Sequence, residues 1–282
     1  MSTMKDELTI ILVSFKSRKS LTKIISKIKN KLNIIVVENS NDKYIKNKFL
    51  KNKNIKIYFP NENKGFGAGL NYGVKKAKTR YVLYLDIDTH ITLLQIIKLY
   101  NQAKKTKKFG VITAKIQGQN YKDLILGKDK TTGMKFVKFN TGCVMLFDKH
   151  IFNEVGGFDE NFFLYFEEAD FYQRCINIKK KIYLFEKIII EHEGKGSIDI
   201  MYKNKYEILR NWHYCWSKFN YYNKHSNYFV GFSKTFPNLI KSIKGMIFSI
   251  FKLKIFEFRC HKAEFLGILS AYIRLKSFYR ID

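Results

Sequence analysis

Asp86 and Asp88 stand one residue apart at the end of an apolar run, YVLYLDIDTH (residues 81–90). In a strand, residues two apart project to the same side, so the two carboxylates offer hard oxygen ligands to one divalent cation, Mn2+ or Mg2+. Such a cation completes its shell with water and substrate phosphates. The pair also suits a plainer task, ending the strand and capping a helix that begins near Thr92. Other groups invite the same double reading. The stretch NENKGFGAGLNYGV (61–74) sets Gly65, Gly67, Gly69 and Gly73, with Asn63 and Asn71, after a strand and across the start of a helix. Its backbone can approach a bulky ligand closely, yet it fits neither the phosphate-loop nor the dinucleotide fingerprint, and a Gly-rich packing turn explains it as well. Glu167, Glu168 and Asp170 crowd one short segment, as acids do at a helix N-terminus, with Arg174 four residues beyond Asp170. His192 stands in HEGKGS; a single histidine is more often structural than chemical.

The elements that must position these residues read as an α/β alternation. LTIILVSF (8–15) and NIIVVEN (33–39) are short, β-branched, continuous apolar runs separated by a Lys-rich helical segment, 18–31. Runs of that kind belong to a parallel sheet covered on both faces. NIKIYFP (54–60) supplies a further strand, a helix follows over about 66–78, and 81–86 is the strand that ends in the aspartates. In open sheets of this type ligands bind at the carboxyl ends of the strands, which is where Asp86 and Asp88 fall. Segments 109–117 and 137–148 read as strands, and 150–178 as a helix, a Gly turn, a loop and a second helix. KIYLFEKIIIEHEGKGS gives a last strand and a loop.

With 282 residues, of which 46% are hydrophobic and 16% aromatic, the chain can bury a substantial core, and its two prolines exclude a Pro-rich linker. Four cysteines scattered without a C-x-x-C pair fit neither a zinc site nor a disulfide framework, so reduced thiols of a cytoplasmic protein are expected. The acidic first residues, MSTMKDELTI, lack the apolar core of a signal peptide, and Lys or Arg interrupts every C-terminal apolar run before it reaches membrane-spanning length.

The order of the motifs is specific. ILVSFKS, VVENS, NKGFGAGLN, LDID, TGCVMLF, GGFDENFFLYFEEADF and HEGKGS, spread over residues 7–200, resemble the family-2 glycosyltransferases, in particular their rhamnosyltransferase-like branch. The resemblance implies a GT-A fold: an α/β, Rossmann-like, mixed but mainly parallel sheet flanked by helices. It implies a nucleoside diphosphate sugar donor, a divalent cation (Mn2+ or Mg2+), and a single displacement with inversion at the anomeric carbon. Carried onto this chain, it implies that Glu38 reads the nucleotide base where relatives more often have Asp. Asp86 would lie near ribose and metal, Asp88 would bind the metal directly, and His192 would sit by the metal and the leaving diphosphate. Asn63, Gly65, Gly67 and Asn71 would help hold the donor. Relatives carry a Glu-Asp pair whose second member is the catalytic base; here the pair is Glu167 and Glu168, which makes Glu168 the expected base, with Glu167 and Asp170 beside it.

Residues 1–200 are thus expected to form the nucleotide-sugar-binding catalytic domain, and 201–282 a helical, basic, aromatic-rich extension. That extension holds fifteen Lys and Arg against four Asp and Glu, within a chain whose formal net charge is +28. A basic amphipathic segment reads as a membrane-surface element, which suits a lipid-linked saccharide acceptor at the cytoplasmic face of the inner membrane during polysaccharide or lipopolysaccharide assembly. A helical cap or a dimer contact is the alternative. Basic, aromatic-rich surfaces also bind nucleic acid, but no recognised nucleic-acid motif accompanies the charge, so no nucleic-acid partner is expected. A catalytically inactive nucleotide-sugar-binding protein is the other competing reading, distinguished by metal-dependent donor hydrolysis.

Overall fold

The computed structural model describes residues 3–29, 32–194 and 198–280. The chain divides into two compact units: the first comprises residues 1–158 and 168–199, the second 159–167 and 200–282.

In the first unit a short α1 (Met4–Glu7) leads into β1 (Leu8–Ser14), followed by α2 (Arg18–Ile28), β2 (Asn33–Glu38), α3 (Lys43–Phe49), β3 (Ile55–Tyr58) and α4 (Phe66–Lys76). Then come β4 (Tyr81–Leu85), β5 (Thr89–His90), α5 (Leu93–Lys105), β6 (Val111–Ile116), β7 (Ile125–Lys128), β8 (Lys135–Val137) and β9 (Val144–Asp148). The unit ends with α6 (Lys149–Val155), α7 (Glu167–Asn177, whose first residue falls in the second unit) and β10 (Ile182–His192). The sheet runs β3-β2-β1-β4-β9-β6-β10-β8-β7, with β5 paired to β10 off that path. β1, β2, β3 and β4 are mutually parallel, as are β6 and β10, while β9 runs antiparallel between β4 and β6. This is the expected mixed sheet flanked by helices.

The continuous apolar runs are explained by burial on both faces. Ile10, Leu12, Ile34 and Val36 pack with Leu21, Ile25, Ile96 and Leu99 of α2 and α5. Their neighbours Ile11, Ile35 and Val37 pack on the other face with Leu70 and Val74 of α4 and Phe171 of α7. The close approach of α4 depends on glycine: a Cβ at Gly73 would come within 2.7 Å of the Ile11 side chain.

One expected element differs. The run 137–148 is not a single strand: β8 ends at Val137 and β9 begins at Val144. Asn140, fully buried between them, donates to the Thr113 hydroxyl at 2.5 Å and to the Ala114 carbonyl at 3.1 Å. A buried amide satisfied by a neighbouring strand holds the backbone out of the ladder, because its polar atoms would otherwise be left unpaired.

The second unit is helical: a 3-10 turn (Ile200–Tyr202), α8 (Lys203–His225), α9 (Tyr228–Phe251) and α10 (Ile255–Tyr272). Trp212, Trp216, Phe219, Ala263 and Ala271 form its core together with Phe162. Among the described residues no helix is long and apolar enough to cross a membrane.

Candidate active site

Both aspartates lie just past β4, in the turn that leads to β5, so the turn and not the strand period sets their positions. β4 is buried throughout and its last residue, Leu85, pairs with Val144 of β9; the next amide, Asp86 N–H, donates to the Cys143 carbonyl at 2.8 Å. From there the chain turns tightly: Thr89 donates through both its amide (3.1 Å) and its hydroxyl (2.6 Å) to the Asp86 carbonyl. The turn sends β5 antiparallel along the end of β10, in the register His192 opposite Thr89 and Glu191 opposite His90. Glu193 N–H also reaches the Asp88 carbonyl at 3.3 Å. That pairing brings in the third side chain from more than a hundred residues away.

His192 Nε2 lies 3.2 Å from Asp86 Oδ2 and 3.0 Å from Asp88 Oδ1, and one ligand atom from each of the three residues falls within 4.8 Å of the others. Asp86 Oδ1 is held by the Ile87 amide at 3.1 Å and the Tyr84 hydroxyl at 3.3 Å, leaving Oδ2 toward His192. Asp88 is 5% exposed, so its carboxylate requires a positive neighbour. Hydrogen bonds to Asp86 and Asp88 push the imidazole up to about 10, so at neutral pH the protonated ring supplies that charge. Once the imidazole gives up that proton to a cation taking its place, two carboxylates and a ring nitrogen form a donor set that fits a divalent cation with oxygen and nitrogen ligands.

Glu168, in the first turn of α7, is half-buried; burial first, then the Asp86 charge, raise its carboxyl above the usual range. Its side chain abuts Gly142, where an added Cβ would lie 3.3 Å from Glu168 Cβ. The chain enters α7 through two non-glycine residues in the left-handed region, Tyr165 (φ 68°) and Phe166 (φ 66°). Strain of that kind persists only where surrounding structure enforces it. Glu167 belongs to the second unit and is buried.

The remaining expected site residues are placed as follows. Glu38 is buried at the end of β2, accepting from the Ser40 hydroxyl (2.6 Å) and the Asp42 amide (2.6 Å); burial raises its carboxyl and these bonds oppose the shift. Asn63 Oδ1 accepts from Gly65 N–H at 3.0 Å, and Gly65 (φ 95°) is the N-cap of α4, with Gly67 buried in the first turn. Asn71 faces another way: its amide brackets the backbone of Phe158, donating at 2.9 Å and accepting at 2.8 Å. Asp170 is fully buried, with Arg174 Nη2 2.7 Å away. The structure therefore assembles Asp86, Asp88 and His192, with Glu168 within electrostatic reach, while Asn71 and Asp170 bind protein groups. Residues 195–197 of the HEGKGS motif lie outside the described residues. Tyr84, whose hydroxyl reaches Asp86 Oδ1, and Thr89, which closes the turn, carry no motif signal in the sequence beyond Tyr84 standing two residues before Asp86.

A family model described as Glycosyl transferase family 2 matches residues 9–229. Among curated proteins, the low-salt glycan biosynthesis hexosyltransferase Agl10 of Haloferax volcanii is 26% identical over 196 residues, 61% of this chain. The chain spans 62% of the length of that relative. Solved structures show the same fold at low identity. A mannosyltransferase, PcManGT from Pyrobaculum calidifontis, in complex with GDP-Man and Mn2+, superposes with a TM-score of 0.57 at 11% identity over 95% of this chain and 88% of its own. GalNAc-T7 with UDP, GalNAc and Mn2+ gives 0.58 at 14% identity over 68% of this chain and 44% of its own. S. aureus TarS 1-349 in complex with UDP-GlcNAc gives 0.54 at 13% identity over 98% and 94%.

Proposed function

We propose, from the premise that this chain belongs to glycosyl transferase family 2, that it transfers a hexosyl group from a nucleoside diphosphate sugar to a saccharide acceptor with inversion at the anomeric carbon. The donor is a dTDP-rhamnose-like or UDP-sugar. The acceptor is a lipid-linked saccharide in cell-surface polysaccharide or lipopolysaccharide assembly, met at the cytoplasmic face of the inner membrane. Residues 1–200 carry the donor and the chemistry, and 201–282 serve acceptor or surface association. The observation that carries the reading is the convergence of Asp86, Asp88 and His192 at the end of β4, with Glu168 close enough to feel the Asp86 charge.

In the transfer, the Glu168 carboxylate takes the proton of the acceptor hydroxyl as its oxygen bonds to the anomeric carbon. The bond from that carbon to the diphosphate breaks on the opposite face, and the electron pair leaves with the nucleoside diphosphate. The raised affinity of Glu168 for a proton makes it a stronger base than an exposed carboxylate. Asp86, Asp88 and His192 would hold an Mn2+ or Mg2+ ion, which when bound supplies Lewis-acid stabilisation to the departing diphosphate. The backbone around Asn63, Gly65 and Gly67, with Glu38, fixes the donor so that attack is in line.

The test is a thermal-shift screen against UDP, dTDP, GDP and CDP, each with Mn2+ or with a chelator, since a ligand of the native state raises the melting temperature by mass action. A metal-dependent rise with one nucleotide is expected. Glu168→Gln is expected to keep that rise and to lose transfer by about a hundredfold or more, as removal of a general base does. A variant with full transfer activity removes Glu168 from the role, and no metal-dependent rise with any nucleotide overturns the donor site.

A further inference from the structure

The second unit carries a feature that water alone does not explain. Where α9 turns into α10, Phe248, Phe251, Leu253, Ile255 and Phe256 are all exposed, Phe251 to 81%, Leu253 to 87% and Ile255 to 69%. Scattered exposed apolar residues are ordinary, but a run of large ones at one helical corner marks an interaction surface. The corner is also built at a conformational cost. Leu253 N–H donates to the Ile250 carbonyl at 3.0 Å and Lys254 N–H to the Ser249 carbonyl at 2.8 Å, the paired bonds of a Schellman turn. The left-handed position of such a turn is normally glycine; here it is Leu253, at φ 54°. A strained backbone thus holds the most exposed apolar side chain of the corner out in solvent.

Charge decides the occupant. Lys241, Lys244, Lys252, Lys254, Arg259 and Lys262, on and around the corner, are all exposed. Of the nearby acids, Glu257 is paired with Lys254 at 2.7 Å, and the six cations outnumber Glu257 and Glu264. A second copy docking on the same patch across a two-fold axis would set these cations against their own images. An anionic lipid surface offers the complementary charge for the lysines and an apolar interior for the Phe, Leu and Ile side chains.

We propose that the α9–α10 corner is a membrane-insertion tip, with Phe251, Leu253 and Ile255 entering the acyl boundary of an anionic bilayer while Lys252 and Lys254 stay at the headgroups. This refines the surface-association part of the reading above and does not depend on the transfer chemistry.

The test is co-sedimentation of the full chain with phosphatidylcholine vesicles made with and without phosphatidylglycerol. Wild-type protein is expected to partition onto the anionic vesicles, and Phe251→Glu with Leu253→Glu to lower that partition by about tenfold or more. Lys252→Gln with Lys254→Gln is expected to weaken binding and flatten its salt dependence. These positions are exposed, so the variants should keep the wild-type melting temperature and any metal-dependent nucleotide shift. Equal partition of the Glu variant and wild type would place the adsorption elsewhere and overturn the proposal, as would no wild-type binding to anionic vesicles. A lipid-free dimer seen by sedimentation velocity and lost in the Glu variant would overturn it in favour of a second copy. If the nucleotide shift is missing while vesicle binding still depends on the tip, the donor-site reading falls and this one stands.

Discussion

At the scale of single residues, the chemistry turns on a carboxylate that has little water. Asp88 is 5% exposed, and its Oδ1 faces His192 Nε2 at 3.0 Å. Removing the imidazole leaves a buried charge without its counter-charge, a loss that outweighs the attraction itself. His192→Ala is therefore expected to destabilise the metal-free protein by about 1–3 kcal/mol. Added Mn2+ should restore part of that loss through the two remaining carboxylates. Melting curves of both proteins, with chelator and with Mn2+, check this; equal melting temperatures in chelator would show that His192 does not balance Asp88. The aspartates and His192 were legible in the sequence because a motif names them, and the structure places them together. The surroundings of Asn71 and Asp170 were less legible. Whether an amide faces a ligand or the backbone of Phe158, 87 positions on, is decided by packing that no local pattern encodes. Glu38 shows the same limit, since its hydrogen bonds to Ser40 and Asp42 depend on how the turn after β2 folds back.

At the scale of elements, a two-residue strand does the positioning. β5 pairs with the end of β10, and its register sets His192 opposite Thr89, three residues beyond Asp86. Thr89 is buried and its hydroxyl donates to the Asp86 carbonyl at 2.6 Å, so the side chain that closes the turn also starts the strand. Thr89→Val keeps the shape and β preference but removes that bond. The expected result is a loss of about 1 kcal/mol in stability and a smaller Mn2+-dependent thermal shift. A variant whose metal response matches wild type would mean that the strand pairing alone sets the register. The long apolar strands were readable because burial on both faces removes polar alternation. β5 was not, since two residues carry no periodicity, and the break between β8 and β9 was not, since it follows from Asn140 finding Thr113 and Ala114 on another strand.

At the scale of the whole chain, the two units differ in what holds them, and acid should separate them. His213 of α8 is fully buried in the second unit, stacked on Phe163 with ring centroids 4.6 Å apart, and its Nε2 lies 2.9 Å from the Tyr279 carbonyl. Burial chiefly lowers its pKa to about 4, opposed by the Tyr279 bond and helped by the nearby Arg280 charge. The folded state thus keeps the ring neutral while the unfolded chain, titrating at the ordinary value of about 6.5, takes up a proton. Stability from this group is complete above about pH 6.5 and is lost as pH falls toward about 4, by roughly 2 kcal/mol at pH 5. For a helical unit of this size that is a fall on the order of 10 °C in melting temperature. Both tryptophans of the chain, Trp212 and Trp216, lie on α8, so their fluorescence reports the second unit while circular dichroism reports both. Between pH 7 and pH 5 the fluorescence melt should move down further than the dichroism melt, which should broaden as two-state behaviour fails. His213→Gln keeps a donor for the Tyr279 carbonyl but cannot titrate, and it should flatten the pH dependence of the fluorescence melt. If that dependence survives the substitution, acid acts on the second unit through other groups, and the neutral histidine is not what makes it sensitive.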